Sequence, residues 1–452
     1  MKNIIFLIVD TLRYDRLGIS GYKPDLTPNL NDLATGGINC TNCFSAGCVT
    51  SVAFPSIFTS TLPLDYGGYD EGILNRPVSF PEILSNNGFE TYGITTGHPC
   101  SSHFGYNRGY KNFVDLVDLY QWFRSVYVAY LNDHLAEWKN GKNNESELLK
   151  EFSKKYHLVL RDSQRYINSL NMVNAPHSGR SRSKLLDQVS MELELLDKYP
   201  ELIIEKLHLL KADYQFALGE RNISTSLQSS INRKNKISSI LNKRIFILSN
   251  RRAFEAKTVN KVFEKWLEKP KKSPFFASLH YFDLHEAKLL ASRMLSEPKL
   301  DRVTNNFSGF LKAQKGRSRN QHGLFYDIGL SLIDKKIGEL RNLLSNHGLL
   351  DNTTLVITGD HGTEAGFPHR GLGSNLARLF YDEHLHVPLI INGPNIPSRT
   401  EIELVSHIDI APSILSLAGL NSSEFFQIQK FDESSIFSTK FGEIPRKFHQ
   451  NR

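Results

Sequence analysis

Aspartate and histidine residues follow three apolar runs that lie far apart in the sequence. The runs and the polar residues after them are residues 4–9 with Asp10, residues 275–279 with His280, Asp283 and His285, and residues 353–359 with Asp360 and His361. In open α/β sheets, ligands bind beyond the carboxyl ends of parallel strands, where strands distant in sequence bring their side chains together. Carboxylate oxygens and imidazole nitrogens bind divalent cations. The pattern therefore indicates a metal site suited to hydrolysis.

Each of these residues also has a simpler interpretation. A lone aspartate after a strand, such as Asp10, commonly caps the next helix. Asp360 and His361 are a stronger signal, because a carboxylate and an imidazole stand together before Gly362, which permits close backbone approach. Together these motifs favour a metal site more than either does alone.

Thr50 stands at the polar entry to residues 49–59, an apolar stretch with the character of a helix. A hydroxyl at a helix N-terminus lies where backbone N–H groups and the helix dipole favour an anion. Beside a divalent cation its alkoxide would be accessible near neutral pH and could act as a nucleophile. The simpler alternative is an ordinary N-cap threonine.

Further histidines are candidates for binding an anionic ligand at the same edge. His285 follows the second apolar run, and His369 precedes Arg370 in a glycine-containing loop that could close over a ligand. A single histidine is more often structural, whereas several on loops at one sheet edge favour a functional site.

The elements that must position these residues fall into two classes along the chain. Residues 1–113 and 255–420 alternate strand-like and helix-like segments, which predicts a mostly parallel α/β sheet covered by helices. Residues 114–254 instead show apolar positions at helical spacing, so we interpret them as a mostly helical insertion. We interpret residues 421–452 as a C-terminal tail.

Composition sets only broad bounds on function. The chain has 452 residues, of which 40% are hydrophobic, and this is ample for a large core. A net charge of +7 suits anionic partners, although a basic surface without a special partner explains it equally well. Four cysteines are too few for a disulfide framework, so we expect ordinary reduced thiols.

Nothing in the sequence suggests export or a membrane span. The apolar N-terminal run is short and is followed at once by Asp10 and Arg13, so we interpret it as a core strand rather than a signal peptide. No segment approaches the ~20 apolar residues that a membrane-spanning helix needs. We therefore expect a soluble, cytoplasmic protein.

Eight motifs, in this order and at roughly this spacing, resemble those of the sulfatase-like branch of the alkaline phosphatase superfamily. They are residues 9–15 (VDTLRYD), 26–30 (LTPNL), the Thr50 segment ending in 58–63 (FTSTLP), 274–276 (PFF), 280–285 (HYFDLH), 357–362 (ITGDHG), 381–389 (YDEHLHVPL) and 405–412 (VSHIDIAP). The resemblance covers about residues 1–113 and 255–420. It implies an alkaline-phosphatase-like fold, in which a mixed, mostly parallel sheet is sandwiched by helices, here with a helical insertion.

The resemblance also implies roles for individual residues. Asp10, Asp360 and His361 correspond to metal ligands, and Thr50 corresponds to the catalytic nucleophile, which also contacts the metal. The residues that correspond to binders of the ester oxyanion or leaving group are His285 and His369, with Arg370 beside them. The implied cofactor is a divalent cation, Ca²⁺, Mg²⁺, Mn²⁺ or Zn²⁺.

The chain departs from the sulfatase pattern at the nucleophile. Sulfatases carry a cysteine or serine there, oxidised to formylglycine within a Cys-x-Pro-x-Arg motif. This chain has Thr50, with Val52 and Phe54 where proline and arginine belong, and Cys48 is two residues out of register. Thr11 also replaces a second aspartate that commonly follows the first. We therefore expect no formylglycine.

Threonine at this position is usual in relatives that act on phosphate esters, so a phosphate mono- or diester is favoured over a sulfate ester. A sulfatase without formylglycine and a catalytically degenerate binding protein remain the alternatives. We expect an anionic ester substrate, saccharide or lipid-linked, and no nucleic acid. The helical insertion offers a surface for homo-oligomerisation.

Overall fold

The computed structural model describes residues 2–23, 25–117, 145–172, 178–200, 255–271, 274–287, 321–363 and 380–421. The chain divides into two compact units. One comprises Met1–Asp115 with Phe254–Arg452, and the other is Leu116–Ala253. His369 and Arg370 lie outside the described residues.

The first unit contains a nine-stranded sheet in which the chemistry-bearing strands are central. Its strands are β1 (Asn3–Val9), β2 (Ile38–Phe44), β3 (Glu90–Thr95), β4 (Asn112–Asp115), β5 (Phe275–Tyr281), β6 (Thr353–Gly359), β7 (His386–Asn392), β8 (Arg399–Glu401) and β9 (Val405–Ser406). They are ordered β4-β3-β5-β1-β6-β7-β2-β8, and β9 also pairs with β2. Among the described strands only β7 is antiparallel to its neighbours. The expected mixed, mostly parallel sheet is therefore confirmed.

Helices cover both faces of this sheet. Those of the first unit are α1 (Pro28–Thr35), α2 (Thr50–Thr59), α3 (Phe80–Asn86), α6 (Ala256–Leu267), α7 (Gln321–Asn346), α8 (Asp382–Leu385) and α9 (Ile410–Leu417), and those of the second are α4 (Glu145–Ser169) and α5 (Ser178–Lys198). On one face α1, α6 and α7 pack together, and on the other α2, α3 and α9 pack together. One-turn 3₁₀ helices occur at Tyr14–Arg16, Gly18–Ser20, Asp65–Gly67, His98–Cys100, Ser102–Phe104, Leu350–Asn352 and His407–Asp409.

The alternation of side chains along β1 sets the orientation of the core. Every residue of β1 is buried, as expected for a central strand with helices on both faces. Ile4, Phe6 and Ile8 belong to the cluster that packs against α2, α3 and α9. Because successive side chains point to opposite faces, Asp10 continues the Ile4–Phe6–Ile8 series towards α2.

In the second unit, α4 and α5 pack against each other through a small core of their own. Tyr156 of α4 is buried and its hydroxyl donates to Glu192 Oε1 of α5 at 2.6 Å. Val159 and Val189 are fully buried as well. No helix among the described residues has the length and apolar character needed to cross a membrane.

Candidate active site

The registers of β1, β5 and β6 bring three side chains together at the carboxyl edge of the sheet. Ile8 is in register with His280 of β5 and with Thr358 of β6. Asp10 and Asp360 each lie two residues further along, and His280, Asp10 and Asp360 therefore all face α2. The backbone N–H of Asp10 donates to the carbonyl of Tyr281 at 2.8 Å, which extends the pairing of β1 and β5 to this point.

Thr50 begins α2 and meets this group from above the sheet. Its hydroxyl donates to Asp10 Oδ2 at 3.2 Å and lies 3.4 Å from His361 Nε2. Val49 precedes the helix in an extended conformation and makes no side-chain cap. The interpretation of Thr50 as a plain N-cap therefore has no support from its hydrogen bonds, which point to the carboxylate and the imidazole.

His361 is oriented so that one ring nitrogen faces the carboxylates. Its Nδ1 lies 2.7 Å from the carbonyl of Gly362 and must be the protonated nitrogen, because a carbonyl only accepts. Nε2 then carries the lone pair and lies 3.5 Å from Asp360 Oδ2 and 3.8 Å from Asp10 Oδ1. A Cβ on Gly362 would stand 2.0 Å from the carbonyl of Glu383, which explains the glycine after this histidine.

The two carboxylates are fully buried, and this is costly without a cation. Burial, together with the nearby charge of Asp360, raises the pKa of Asp10 to about 7. Oδ1 of Asp10 and Oδ2 of Asp360 have no hydrogen-bond partner in the described part of the chain. Buried polar atoms without partners are rare and need an explanation such as an ion. A divalent cation bound by these oxygens and by His361 Nε2 fits the site. The N-terminus of α2 also faces the carboxylates, but its dipole supplies only a partial positive charge.

Thr11 contributes backbone rather than side-chain chemistry. Its φ of 59° is uncommon for a β-branched residue. The conformation is held because its N–H donates to Asp360 Oδ1 at 3.0 Å and its carbonyl accepts from the Tyr326 hydroxyl at 2.9 Å. The residue in the position of the second aspartate thus orients Asp360 through its main chain.

The three polar residues expected at the end of β5 have different roles. β5 continues to Tyr281, so His280 lies within the strand. Asp283 turns away from the site, and its Oδ2 accepts from the N–H of Ala256 at the start of α6 at 2.8 Å. The expectation that Asp283 joins the polar group at this edge is therefore wrong, because it serves as the acceptor for a helix N-terminus.

His285 lies at the strand exit with its side chain 39% exposed, and its ring stacks on Phe282. Burial would lower its pKa, but the Glu286 carboxylate, 3.8 Å from Nδ1, and the charges of Asp10 and Asp360 outweigh this and raise the pKa to about 9. His285 is therefore placed to carry a proton within electrostatic range of the two carboxylates. The expected partners His369 and Arg370 lie outside the described residues.

Two histidines near the site were not assigned a role from the sequence. His280 is one of the polar residues that follow the second apolar run, and its position in the site follows from its register with Ile8. His98 begins a 3₁₀ turn after β3, where burial and the nearby His285 lower its pKa to about 4. His280 opens the motif at residues 280–285, but only its register with Ile8 shows that it lies beside the carboxylates, and no sequence motif marks His98.

Comparison with known proteins identifies the family. The family model described as Sulfatase matches residues 2–193 and 197–420, and so runs through much of the segment interpreted as an insertion. An ulvan-active sulfatase of Formosa agariphila is 26% identical over 205 residues, which are 37% of this chain and 33% of that protein. A choline-sulfatase of Rhizobium meliloti is 30% identical over 119 residues, covering 26% of this chain and 22% of that protein. The chain thus matches a third or less of these relatives' lengths.

A solved structure of a sulfatase-like protein from Bacteroides thetaiotaomicron has a similar fold. Its TM-score is 0.51 at 12% identity, and the similarity covers 99% of this chain and 76% of that one. This likeness confirms the α/β fold that the motifs implied.

Proposed function

The chain belongs to the sulfatase family, and we propose that it is a metal-dependent hydrolase or transferase of anionic esters with Thr50 as its nucleophile. One observation carries the proposal. The Thr50 hydroxyl lies at the N-terminus of a helix and within 3.4 Å of both a buried carboxylate and an imidazole nitrogen. An ester anion placed there would face the positive end of the α2 dipole.

The cation would be held by Asp10, Asp360 and His361, with the Thr50 oxygen beside them. When bound, it would neutralise charge on the ester and lower the pKa of the attacking hydroxyl. The mixed oxygen and nitrogen donors allow Mn²⁺ or Zn²⁺ as well as Ca²⁺ or Mg²⁺.

In the proposed reaction Thr50 Oγ1 forms a bond to the phosphorus or sulfur of the ester as the bond to the leaving oxygen breaks. The hydroxyl proton passes towards Asp10 Oδ2, which already accepts it in the structure. His285, at the exit of β5, would donate a proton to the leaving oxygen. His369 and Arg370 would bind the ester oxygens. Water or an acceptor hydroxyl would then attack the phosphorus or sulfur and give its proton to His285, as the bond to Thr50 Oγ1 breaks and Thr50 recovers its proton from Asp10.

Within this proposal a phosphate ester is favoured over a sulfate ester. An unmodified alcohol is a poor nucleophile for sulfate transfer, because no hydrated aldehyde can expel the sulfate afterwards. Cys48, the nearest thiol in sequence, is buried and burial raises its pKa. Sulfate-ester hydrolysis is the second candidate, and the sulfatases among its relatives favour it. A binding protein without catalysis is the third.

The proposal is tested by assaying chelated and metal-reloaded protein on aryl phosphate, aryl phosphodiester and aryl sulfate substrates. We expect metal-dependent turnover of a phosphate ester that is lost in Asp360→Asn and kept in Asp351→Asn, which changes an exposed acid at the other end of β6. Intact mass spectrometry should show unmodified Cys48. Turnover confined to the sulfate ester, with an aldehyde at Cys48, would establish the second candidate, and no turnover of any ester would favour the third.

A further inference from the structure

His280 presents a ring nitrogen to the same buried space as the carboxylates. Its Nε2 is buried, has no hydrogen-bond partner in the described part of the chain and lies 3.8 Å from Asp10 Oδ2. Potential ligand atoms of Asp10, His280 and Asp360 all lie within 4.8 Å of one another. Asp10 Oδ1, His280 Nε2 and Asp360 Oδ2 are the atoms of these residues that have no hydrogen-bond partner among the described residues.

Hydrogen bonding on the other side of the ring fixes the tautomer of His280. Thr96 Oγ1 donates its only hydrogen to the His280 carbonyl at 3.0 Å and lies 3.2 Å from His280 Nδ1. Nδ1 must then be the donor to Thr96, which leaves the lone pair on Nε2. This is the arrangement found in metal-binding histidines, whose second nitrogen donates to a protein oxygen.

Packing holds the ring in this orientation. The edge of Phe54 meets the imidazole at 75° with ring centroids 5.3 Å apart. A Cβ on Gly97 would stand 3.0 Å from His280 Cε1, so the glycine leaves room for the ring. Phe54 occupies the position where the sulfatase motif has arginine, so the residue beside the imidazole is an aromatic ring rather than a cation.

We propose that His280 is an additional metal ligand, which gives a centre of two imidazoles and two carboxylates that selects Zn²⁺ over Ca²⁺. The proposal rests on the metal site of the proposed function. Ligands about 2.0–2.2 Å from one tetrahedral ion are about 3.4 Å apart. His361 Nε2 lies 3.5 Å from Asp360 Oδ2, and His280 Nε2 lies 3.8 Å from the Asp10 oxygen Oδ2 that accepts from Thr50, so each imidazole lies near this distance from one carboxylate group. Two imidazole nitrogens favour Zn²⁺, whereas Ca²⁺ prefers six or more oxygens.

The test measures metal binding and the number of imidazole ligands, independently of activity. Full-length protein is stripped with a chelator and titrated calorimetrically with Zn²⁺ and with Ca²⁺. The Zn²⁺-loaded protein is then examined by X-ray absorption, in which imidazole scattering counts the histidine ligands. We expect two imidazoles in wild type and one in His280→Asn, with Zn²⁺ affinity at least tenfold lower in the variant and Ca²⁺ affinity not reduced.

The control is His386→Gln, since the His386 ring donates to the backbone carbonyl of Thr41 and stacks between Tyr14 and Phe44 rather than facing the carboxylates. It should keep both imidazole ligands. One imidazole in Zn²⁺-loaded wild type, or unchanged Zn²⁺ affinity in folded His280→Asn, overturns the proposal for His280. If His280→Asn does not fold, the number of imidazole ligands in the Zn²⁺-loaded wild type, two or one, still tests the proposal. Unchanged Zn²⁺ affinity in Asp360→Asn would instead overturn the metal site of the proposed function.

Discussion

At the scale of single residues, the site buries two carboxylates whose burial is unfavourable without a bound cation. Asp10 and Asp360 are 0% exposed, and their unpaired oxygens face imidazole nitrogens that lack protons in the neutral state. A buried carboxylate without a partner costs several kcal/mol, and a bound cation would offset this cost. The Thr50 hydroxyl lies within hydrogen-bond distance of the Asp10 carboxylate and of the His361 imidazole.

Substitution of Thr50 tests this assignment directly. Thr50→Ala keeps the helix and both carboxylates but removes the proposed nucleophile, so we expect kcat to fall by several orders of magnitude. Thr50→Ser keeps the hydroxyl and should retain measurable turnover. Both are measured by steady-state kinetics on the best ester, with metal content determined in parallel.

Ser51 provides the neighbouring control, since it is the next residue of α2 and makes neither contact that Thr50 makes. Ser51→Ala should remain active. If Ser51→Ala is inactive and Thr50→Ala is active, the nucleophile is Ser51 rather than Thr50. Normal kcat in both variants would contradict covalent catalysis and favour direct attack by water.

At the scale of elements, the sequence predicted the strands well because central parallel strands are continuous apolar runs. The apolar runs at residues 4–9 and 353–359 coincide with β1 and β6 to within one residue. The apolar run predicts that β5 ends at residue 279, whereas the strand continues to Tyr281. His280 and Tyr281 interrupt the apolar run, although both are buried within the strand. Strand register is a tertiary property, so no local pattern could show that His280 lies beside Ile8.

The same limit explains the error at Asp283. Spacing alone grouped it with the two histidines, whereas its partner is the N-terminus of α6, a helix that begins 27 residues earlier. A carboxylate is a favourable acceptor for the first N–H groups of a helix. Only the packing of α6 against β5 brings the two together.

Asp283 therefore gives a pH-dependent prediction for stability. Burial raises its pKa from 3.8 to about 7 in the folded protein, so the folded state keeps a proton that the unfolded state has lost. The contribution of Asp283 to stability falls as pH rises from about 4 to 7. An asparagine side chain does not titrate and can still accept from the N–H of Ala256. Asp283→Asn should therefore gain stability relative to wild type over this range, by up to roughly 4 kcal/mol at about 1.4 kcal/mol per pKa unit.

Urea unfolding of chelated protein at about pH 5 and pH 8 measures this effect. The free energy of unfolding of Asp283→Asn minus that of wild type should be larger at the higher pH. Asp351→Asn is the control, because Asp351 is exposed and its substitution should give the same difference at both values. A difference for Asp283→Asn that does not change with pH would contradict the raised pKa.

At the scale of the whole molecule, the chain consists of a sheet unit that carries every described site residue and a second unit of residues 116–253. The cluster that packs β1 against α2, α3 and α9 draws its members only from the first unit. In the second unit Tyr156, Val159 and Val189 are buried, and the Tyr156 hydroxyl of α4 donates to Glu192 of α5. We propose that the second unit is an insertion that affects substrate range or assembly rather than the reaction itself.

Deletion of residues 116–253 tests this proposal, with a flexible Gly/Ser linker joining Asp115 to Phe254. We expect a soluble protein that binds metal and hydrolyses a small aryl ester as wild type does, because Asp10, Thr50, Asp360 and His361 all belong to the remaining unit. Circular dichroism, thermal unfolding and metal content establish the fold and the site, and kinetics on small and large esters establish the effect on substrate range. The segment 116–253 expressed alone should be helical, since α4 and α5 pack against each other and share the Tyr156–Glu192 hydrogen bond. An insoluble deletion protein, together with an unfolded isolated segment, would show that the two units fold only as one, and residues 116–253 would then be part of the catalytic domain.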